Sequence, residues 1–369
     1  MERPVFKPVG TPVEELDTPA LVVDLEVLQR NIETLHSFFR DRDAKVRPHV
    51  ASHRSPAIAH KQLAAGGTVG GISVTTVGQA EVFAPRGFND IFIANEVVTR
   101  QKIDRACAVA GDCRITLACD SPDNVRDLSD AAGAHGVDLG VVVDIHTRLE
   151  RCGVEPGRPA VDLARAIDRS PSLSFKGLMT YEGVIDTSDP DELAAESRRC
   201  IQQVLDTREM VEREGVEVAI VSVGGTHNYE IAGDMSGVTE VPAGSYALMD
   251  GGYRERRPQF ANAARVLGTV ISRPEPGLAW LDVGQKAIGI DAGLPAVHDL
   301  DGVTVLSMSA EHGGLTLESD AGEALDLGDK VWLTPRDIGS CVNVYDYIHG
   351  VRNGRLEVVW DVEARGRYR

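Results

Sequence analysis

The stretch RITLACDSPDNVRDLSDAAGAHGVDLGVVVDI, residues 114–145, decides the fold class. It begins and ends with a short apolar run typical of a buried β-strand, and an amphipathic segment lies between the two runs. The same alternation of short apolar runs and helix-like segments extends from about residue 20 to residue 250. This alternation predicts an α/β domain built on a parallel sheet.

Eight runs in this region are predicted to be strands: ALVVDL (20–25), KVRPHV (45–50), GGISVTT (70–76), DIFIAN (90–95), RITLAC (114–119), LGVVVDI (139–145), FKGLMTYE (175–182) and AIVSVGG (219–225). Helices are predicted between them, for example over residues 25–41 and 191–215. Eight strands that alternate with helices predict a (β/α)8 barrel. A doubly wound open sheet is the alternative, because the sequence does not show closure.

The sequence pattern changes after about residue 255, where strand-like runs follow one another without long helix-like segments between them. Turn signals such as RNGR (352–355) separate these runs. We therefore predict a (β/α)8 barrel over residues 20–255. Residues 1–19 and 256–369 are predicted to form a second, mostly antiparallel β domain.

Composition excludes several classes of protein. The formal net charge of −18 argues against a nucleic-acid partner, since phosphate backbones select basic surfaces. The chain has neither an apolar run long enough to span a membrane nor an apolar signal-like start, and its six cysteines form no CxxC pair. A cytoplasmic protein with reduced thiols is expected.

Polar or glycine-rich residues follow almost every predicted strand, at the barrel end where active sites gather. The segments SVGGTHNYE (222–230) and PAGSYALMD (242–250) are the best candidates for binding an anion, since glycine pairs let backbone N–H groups converge on phosphate oxygens. Thr226, Ser245 and Tyr246 add hydroxyl donors. Two ordinary glycine-rich turns are the alternative explanation.

Other candidates are less specific. Arg151 could face a ligand's ring nitrogen or carboxylate, or form a surface ion pair. Tyr181 could stack on a planar ligand, or be an ordinary half-buried tyrosine. The β domain carries Glu311, His312, Asp337 and Cys341, which could supply metal ligands, although charged turn residues explain them as well.

Together these segments resemble the fold-type III pyridoxal-phosphate enzymes, specifically the D-threonine aldolase and D-serine dehydratase group. The resemblance covers nearly the whole chain and rests on seven colinear segments: DTPALVVD (17–24), RPHVASHRSPAIA (47–59), RCGVEPG (151–157), residues 224–250, LDVGQKAIGIDAGLP (281–295), EHGGL (311–315) and residues 342–367. It implies an alanine-racemase-like barrel, a C-terminal β domain and a homodimer.

The resemblance also implies site residues. It assigns the cofactor phosphate and ring to Arg151, Tyr181, Gly224, Gly225, Thr226, His227, Asn228, Gly244, Ser245 and Tyr246. His49, His53 and Tyr181 become the candidate catalytic residues.

Two departures from the family pattern stand at functional positions. The family segment reads Arg-Pro-His-x-Lys-Thr-His, and its lysine forms the Schiff base with pyridoxal phosphate; here that position is Ala51. The family's metal-binding pattern aligns with PRDIGSCVN (335–343), where Asp337 replaces a histidine and Gly339 replaces the second ligand. Only Asp337 remains as a candidate metal ligand within that pattern, and Cys341 or His312 could supply a further ligand.

Three interpretations follow. In the first, Ala51 is an engineered substitution in a lyase. In the second, the natural protein no longer uses the Schiff-base mechanism, and His49, His53 and His227 serve other chemistry as acid–base groups or metal ligands. In the third, the chain binds a phosphorylated ligand without catalysis. The sequence favours a lyase-like enzyme acting on a hydroxylated D-amino acid or an analogue. Pyridoxal phosphate would then be bound non-covalently or absent, with a divalent metal as a further candidate.

Overall fold

The structure, a computed structural model, describes residues 6–318 and 325–369. Its strands are β1 (Ala20–Asp24), β2 (Lys45–Pro48), β3 (Ile72–Val74), β4 (Asp90–Glu96), β5 (Arg114–Cys119), β6 (Leu139–Asp144), β7 (Leu173–Met179), β8 (Ile220–Ser222), β9 (Glu240–Ala243), β10 (Ala264–Glu275), β11 (Leu278–Leu281), β12 (Ala296–His298), β13 (Val303–Met308), β14 (Gly313–Leu317), β15 (Lys330–Thr334), β16 (Tyr347–Arg352) and β17 (Arg355–Asp361).

The helices of the described residues are α1 (Leu25–Arg40), α2 (Pro56–Ala64), α3 (Val77–Phe83), α4 (Arg100–Ala110), α5 (Pro122–His135), α6 (Arg158–Asp168), α7 (Pro190–Arg213), α8 (Tyr229–Asp234), α9 (Gly251–Arg254), α10 (Gln285–Ile288) and α11 (Ile338–Asn343). Short 3-10 turns cover Val13–Glu15, Val50–Ser52 and Ala84–Arg86. No helix in this part of the chain is long and apolar enough to cross a membrane.

The predicted barrel is confirmed. Strands β2 to β9 form one parallel sheet in the order β2-β9-β8-β7-β6-β5-β4-β3. Parallel bridges from Val46 to Thr68 and from His49 to Ser73 join its two edges, so the sheet closes. The open-sheet alternative is thereby excluded.

The prediction was wrong for one of the eight barrel strands, which lies in the other sheet. ALVVD, β1, pairs antiparallel with β10 and parallel with β16, so it lies in the second sheet. The eighth barrel strand is β9, whose four residues pair with β2. Because β9 is short and contains Pro242, which is uncommon inside a strand, its sequence does not show the usual apolar pattern.

Helix boundaries follow local capping chemistry. The Ser121 hydroxyl accepts a hydrogen bond from the Asp123 N–H at the start of α5, and Pro122 occupies the first turn. The carboxylate of Asp189 caps the start of α7 in the same way, by accepting from the Asp191 N–H. These caps fix where each barrel helix begins after its strand.

The second sheet is mostly antiparallel, as predicted, and runs in the order β13-β14-β11-β10-β1-β16-β17, with β15 and β12 added beside β10. The hairpin between β16 and β17 turns at Asn353 and Gly354, both with positive φ. Such φ values match the right-handed twist of paired strands and favour Asn-Gly. The N-terminal segment packs on this sheet, where Val13 and Leu16 are buried beside Leu356.

Contacts divide the chain into two compact units. The barrel unit comprises Leu35–Ala51, Ile58–Gly244 and Gly366–Arg369. The other unit comprises the residues up to Thr34, Ser52–Ala57 and Ser245–Arg365. Inside the barrel, Phe92, Ala118, Val142 and Met179 from four consecutive strands form an apolar layer.

Candidate active site

The end of β2 carries the histidine and alanine that the sequence singles out. Ala51 lies in the 3-10 turn Val50–Ser52, and its N–H donates to Nδ1 of His49 at 3.4 Å. Desolvation lowers the pKa of His49 to about 4. His49 is therefore a neutral imidazole at neutral pH, with Nδ1 as its acceptor nitrogen and Nε2 carrying the hydrogen.

Strand β9 approaches β2 closely at this point. A Cβ on Gly244 would lie 2.3 Å from the His49 carbonyl oxygen, so only glycine fits there. The His49 N–H in turn donates to the Ala243 carbonyl at 2.9 Å. The structure thus places Gly244 beside His49, and glycine is required at position 244 because a side chain would collide with the His49 backbone.

Three predicted site residues lie in a row at the ends of β6, β7 and β8. The Arg151 guanidinium carbon lies 5.8 Å from the centroid of the Tyr181 ring. The His227 ring stands edge-on to Tyr181, with centroids 6.4 Å apart. His227 is only 2% exposed, and neither of its ring nitrogens has a hydrogen-bond partner.

A buried network fixes the loop that follows β8. The side-chain oxygen of Asn228 accepts from the Gly225 N–H at 3.0 Å, and its amide donates to Glu182 Oε1 at 2.5 Å and to Ser197 Oγ at 3.0 Å. Glu182 Oε1 also lies 3.6 Å from His227 Nε2. The Gly225 N–H is therefore already hydrogen-bonded to the Asn228 side chain. Gly224 and the buried Thr226 are the other residues of this loop.

Three other predicted residues belong to the second unit. His53 is fully buried, and its Nδ1 accepts from the Ser55 N–H at 3.2 Å, an interaction that holds the local turn. The Ser245 carbonyl accepts from the Met249 N–H at 2.8 Å. Tyr246 is fully buried, with its ring 6.1 Å from that of Phe260. Their roles at a ligand remain predictions.

Asp337 caps a helix. Its carboxylate accepts from the Ser340 N–H at 2.8 Å and from the Ser340 hydroxyl at 2.5 Å at the start of α11. Cys341 is fully buried, and desolvation raises the pKa of its thiol far above the usual value. Within residues 6–318 and 325–369, Asp337 joins no set of three potential metal ligands.

A carboxyl pair at the barrel end was not predicted from the sequence. Glu96 is the last residue of β4, and Asp144, only 4% exposed, is the last residue of β6. Burial and, next, the Glu96 carboxyl raise the pKa of Asp144 to about 7. Both follow apolar runs as polar strand ends, but their proximity depends on barrel closure, which no local pattern reveals.

Comparison with known proteins agrees with this architecture. The family model "Alanine racemase, N-terminal domain" matches residues 23–250, and "Putative serine dehydratase domain" matches residues 263–351. A 3-hydroxy-D-aspartate aldolase of Paracoccus denitrificans (strain Pd 1222) is 35% identical over 97% of this chain and 94% of that protein. A D-threonine aldolase of an Arthrobacter species is 32% identical over 97% of this chain and 95% of that protein.

Solved structures give the same result. The crystal structure of D-threonine aldolase from Filomicrobium marinum superposes with a TM-score of 0.95 and 36% identity, covering 99% of this chain and all of that one. D-threo-3-hydroxyaspartate dehydratase from Delftia sp. HT23 superposes with a TM-score of 0.84 and 27% identity, covering 95% of this chain and 98% of that one. The chain therefore belongs to the fold-type III pyridoxal-phosphate family, in the group of D-threonine aldolase and 3-hydroxy-D-aspartate aldolase.

Proposed function

We propose that this protein is a lyase that acts on a hydroxylated D-amino acid or a close analogue at the C-terminal end of its barrel. The similarity over 97% of the chain to two aldolases, named for 3-hydroxy-D-aspartate and D-threonine, carries the proposal. Both compounds are amino acids with a hydroxyl on the β-carbon. The polar ends of β2, β6, β7 and β8 support it, because barrel enzymes bind substrate there.

The residues do not fit covalently attached pyridoxal phosphate. Ala51 offers no amine, and all seven lysines of the chain lie elsewhere among the described residues. Lys45, Lys286 and Lys330 bond their amines to neighbouring protein groups. The others are Lys7 in the N-terminal segment, Lys61 on α2, Lys102 on α4 and Lys176 inside β7. No step of the proposed reaction passes through a lysine-bound cofactor.

The chain's own groups would bind and orient the substrate. The exposed Arg151 guanidinium would bind a substrate carboxylate, since its planar fork matches two carboxylate oxygens. Because Nδ1 of neutral His49 accepts from the Ala51 N–H, its Nε2–H would donate a hydrogen bond to the substrate hydroxyl. Tyr181, beside Arg151, would position the substrate.

A turnover assay tests this proposal. Purified protein is incubated with D-threonine or 3-hydroxy-D-aspartate, with and without pyridoxal phosphate and a divalent metal, and with L-threonine as the stereochemical control. Release of an aldehyde with glycine, or of ammonia with a 2-oxo acid, from the D-compounds alone supports a lyase. Arg151→Met should then raise KM more than it lowers kcat, since it removes a binding group.

A ligand-binding protein without catalysis is the second candidate, and Ala51 is the observation that favours it. Native mass spectrometry after incubation separates the two. A ligand that stays bound and unchanged for hours supports a binding protein, whereas its conversion supports the lyase.

Restoring the amine tests whether the pocket still accepts the family cofactor. Ala51→Lys with excess pyridoxal phosphate should become yellow and, after borohydride reduction, gain the mass of the cofactor. Ala51→Met, of similar length but without an amine, should do neither. A colourless Ala51→Lys protein would mean that the pocket no longer accepts the cofactor.

We also propose a small amino-acid-like substrate as the physiological partner and a homodimer as the assembly. Light scattering after size-exclusion chromatography measures the mass directly. A mass of one chain, 39.7 kDa, at micromolar concentration would contradict the dimer.

A further inference from the structure

Four side chains with metal-binding or acidic groups come together at the ends of β4, β5 and β6. Glu96 ends β4, Asp120 follows β5, Asp144 ends β6, and Cys152 lies in the loop after β6. Side chains of a strand alternate between its two faces. Glu96 pairs in register with the interior residue Ala118, across a β-bulge that follows Ile93, and Asp144 lies two positions after the interior residue Val142 on β6. Asp120 directly follows β5, and its carboxylate lies close to that of Glu96. These side chains lie at the same end of the barrel.

Three of these groups lie at the spacing of ligands around one ion. A carboxylate oxygen of Glu96, a carboxylate oxygen of Asp120 and the Cys152 sulfur all lie within 4.8 Å of one another. It is the one such set among the residues that the structure describes. Two oxygens and a thiolate form a mixed donor set that suits borderline divalent ions such as Zn²⁺ and Co²⁺ better than Mg²⁺ or Ca²⁺.

The environment of Asp144 points independently to a cation. Asp144 is 4% exposed, and apart from the Glu96 carboxyl no described group hydrogen-bonds to its side chain. The Glu96 Oε1 atom is also buried without a hydrogen-bond partner. Burying carboxylates against each other is unfavourable unless a shared proton or a cation compensates their charge. The Arg151 guanidinium also interacts with Asp144, but less strongly than the Glu96 carboxyl does.

The loop that carries Cys152 is held in place by backbone hydrogen bonds. Val154 donates to the Asp144 carbonyl at 3.0 Å and accepts from the His146 N–H at 2.8 Å. The Gly153 N–H donates to Asp120 Oδ2 at 3.1 Å, which fixes that carboxylate beside the loop. The donors are therefore positioned before any ion arrives, which reduces the entropy lost on binding.

We propose that Glu96, Asp120 and Cys152 bind a divalent cation of the Zn²⁺ and Co²⁺ class at the barrel end, with Asp144 adding negative charge beside it. These ligands are different residues from Asp337, the position that the family pattern assigns to its metal. The proposed site does not depend on the proposed lyase activity, because metal binding is measured directly.

Cobalt titration of the metal-free full-length protein tests the site. One Co²⁺ per chain should bind and give the near-ultraviolet absorption of a cobalt–thiolate bond, and elemental analysis should find one equivalent. Cys152→Ser should abolish that absorption, whereas Cys113→Ser, which changes another partly exposed thiol, should keep it. Glu96→Gln should weaken binding at least tenfold, and the exposed Asp112→Asn should leave it unchanged.

Each contrary result overturns the proposal. Absence of a one-equivalent complex, or absorption that survives in Cys152→Ser, means that these residues are not the ligands. Equal affinity of Glu96→Gln and the unaltered protein means an adventitious ion only. Circular dichroism confirms that each variant is folded, and Cys152→Ala replaces Cys152→Ser if the latter is not.

Discussion

The guanidinium of Arg47 forms a buried ion pair with Glu240, with Nη2 to Oε2 at 2.8 Å and both side chains at most 5% exposed. The same guanidinium also reaches Asp90, at 2.9 Å from Nη1. β2 and β9 are neighbours in the barrel, but β3 separates β2 from β4. Arg47 therefore links β2 to β9 and β4, and its guanidinium carbon lies 5.9 Å from the centroid of the Phe92 ring.

Replacing Arg47 by methionine should destabilise the barrel strongly. The change leaves the buried Glu240 carboxylate without its counter-ion, which lowers the free energy of unfolding by roughly 3–5 kcal/mol. Denaturant unfolding followed by circular dichroism measures this change. Arg100→Met removes an exposed i,i+4 pair with Asp104 and should have no measurable effect. Equal stabilities of the two variants would refute the buried role of Arg47.

His49 should make stability depend on pH. Burial lowers its pKa from 6.5 to about 4, so between these values the unfolded chain binds a proton that the folded chain does not. Stability supplied by neutral His49 is therefore present above pH 6.5 and is lost as pH falls towards 4, by up to roughly 3 kcal/mol. Unfolding curves of the unaltered protein and of His49→Gln across this range should diverge.

The comparison needs a matched histidine, since carboxyl groups also titrate at low pH. His60→Gln changes an exposed histidine on α2 and serves as the control. Parallel pH profiles for the unaltered protein and His49→Gln would show that His49 is accessible to solvent protons in the folded state.

Gly244→Ala should disturb the contact between β9 and β2. The added Cβ would lie 2.3 Å from the His49 carbonyl oxygen, so the strands must separate, at about 1–3 kcal/mol. Gly251→Ala, whose Cβ would have no neighbour closer than 3.5 Å, is the control. Thermal unfolding should give a lower Tm for Gly244→Ala than for Gly251→Ala, and the reverse order would contradict the close approach.

Asn228→Ala should loosen the loop after β8. It removes hydrogen bonds to Gly225, Glu182 and Ser197 and leaves the Glu182 carboxylate buried, so stability should fall by roughly 2–4 kcal/mol. Hydrogen exchange at the Gly225 amide should accelerate with the variant. Gln202→Ala, which removes one exposed hydrogen bond to Asp206, should change neither property. An unchanged exchange rate would show that Asn228 does not hold the loop.

Local sequence patterns predict individual elements of this protein well. Helix caps and tight turns depend on a few neighbouring residues, so they can be recognised locally. Examples are the caps at Ser121 and Asp189 and the hairpin turn at Asn353–Gly354. The family motifs likewise indicate the barrel and the C-terminal β domain, and both are confirmed.

Strand partnership could not be predicted from the same patterns. The ALVVD run of β1 reads like a barrel strand, yet β10 and β16 are its partners, from residues more than 240 positions away. β9 lacks the expected pattern but completes the barrel. An apolar run specifies a buried strand but not the sheet that buries it.

The chemical groups at the ends of the strands can be read from the amino-acid sequence, including Ala51 where the family has its lysine. Which of these groups meet depends on the tertiary structure. It makes Asp337 a helix cap, leaves the His227 nitrogens without a hydrogen bond, and brings Glu96 and Asp144 together. A helix cap depends on neighbouring residues of the chain. Contacts between side chains of different strands form only when strands that are distant in sequence close into one barrel.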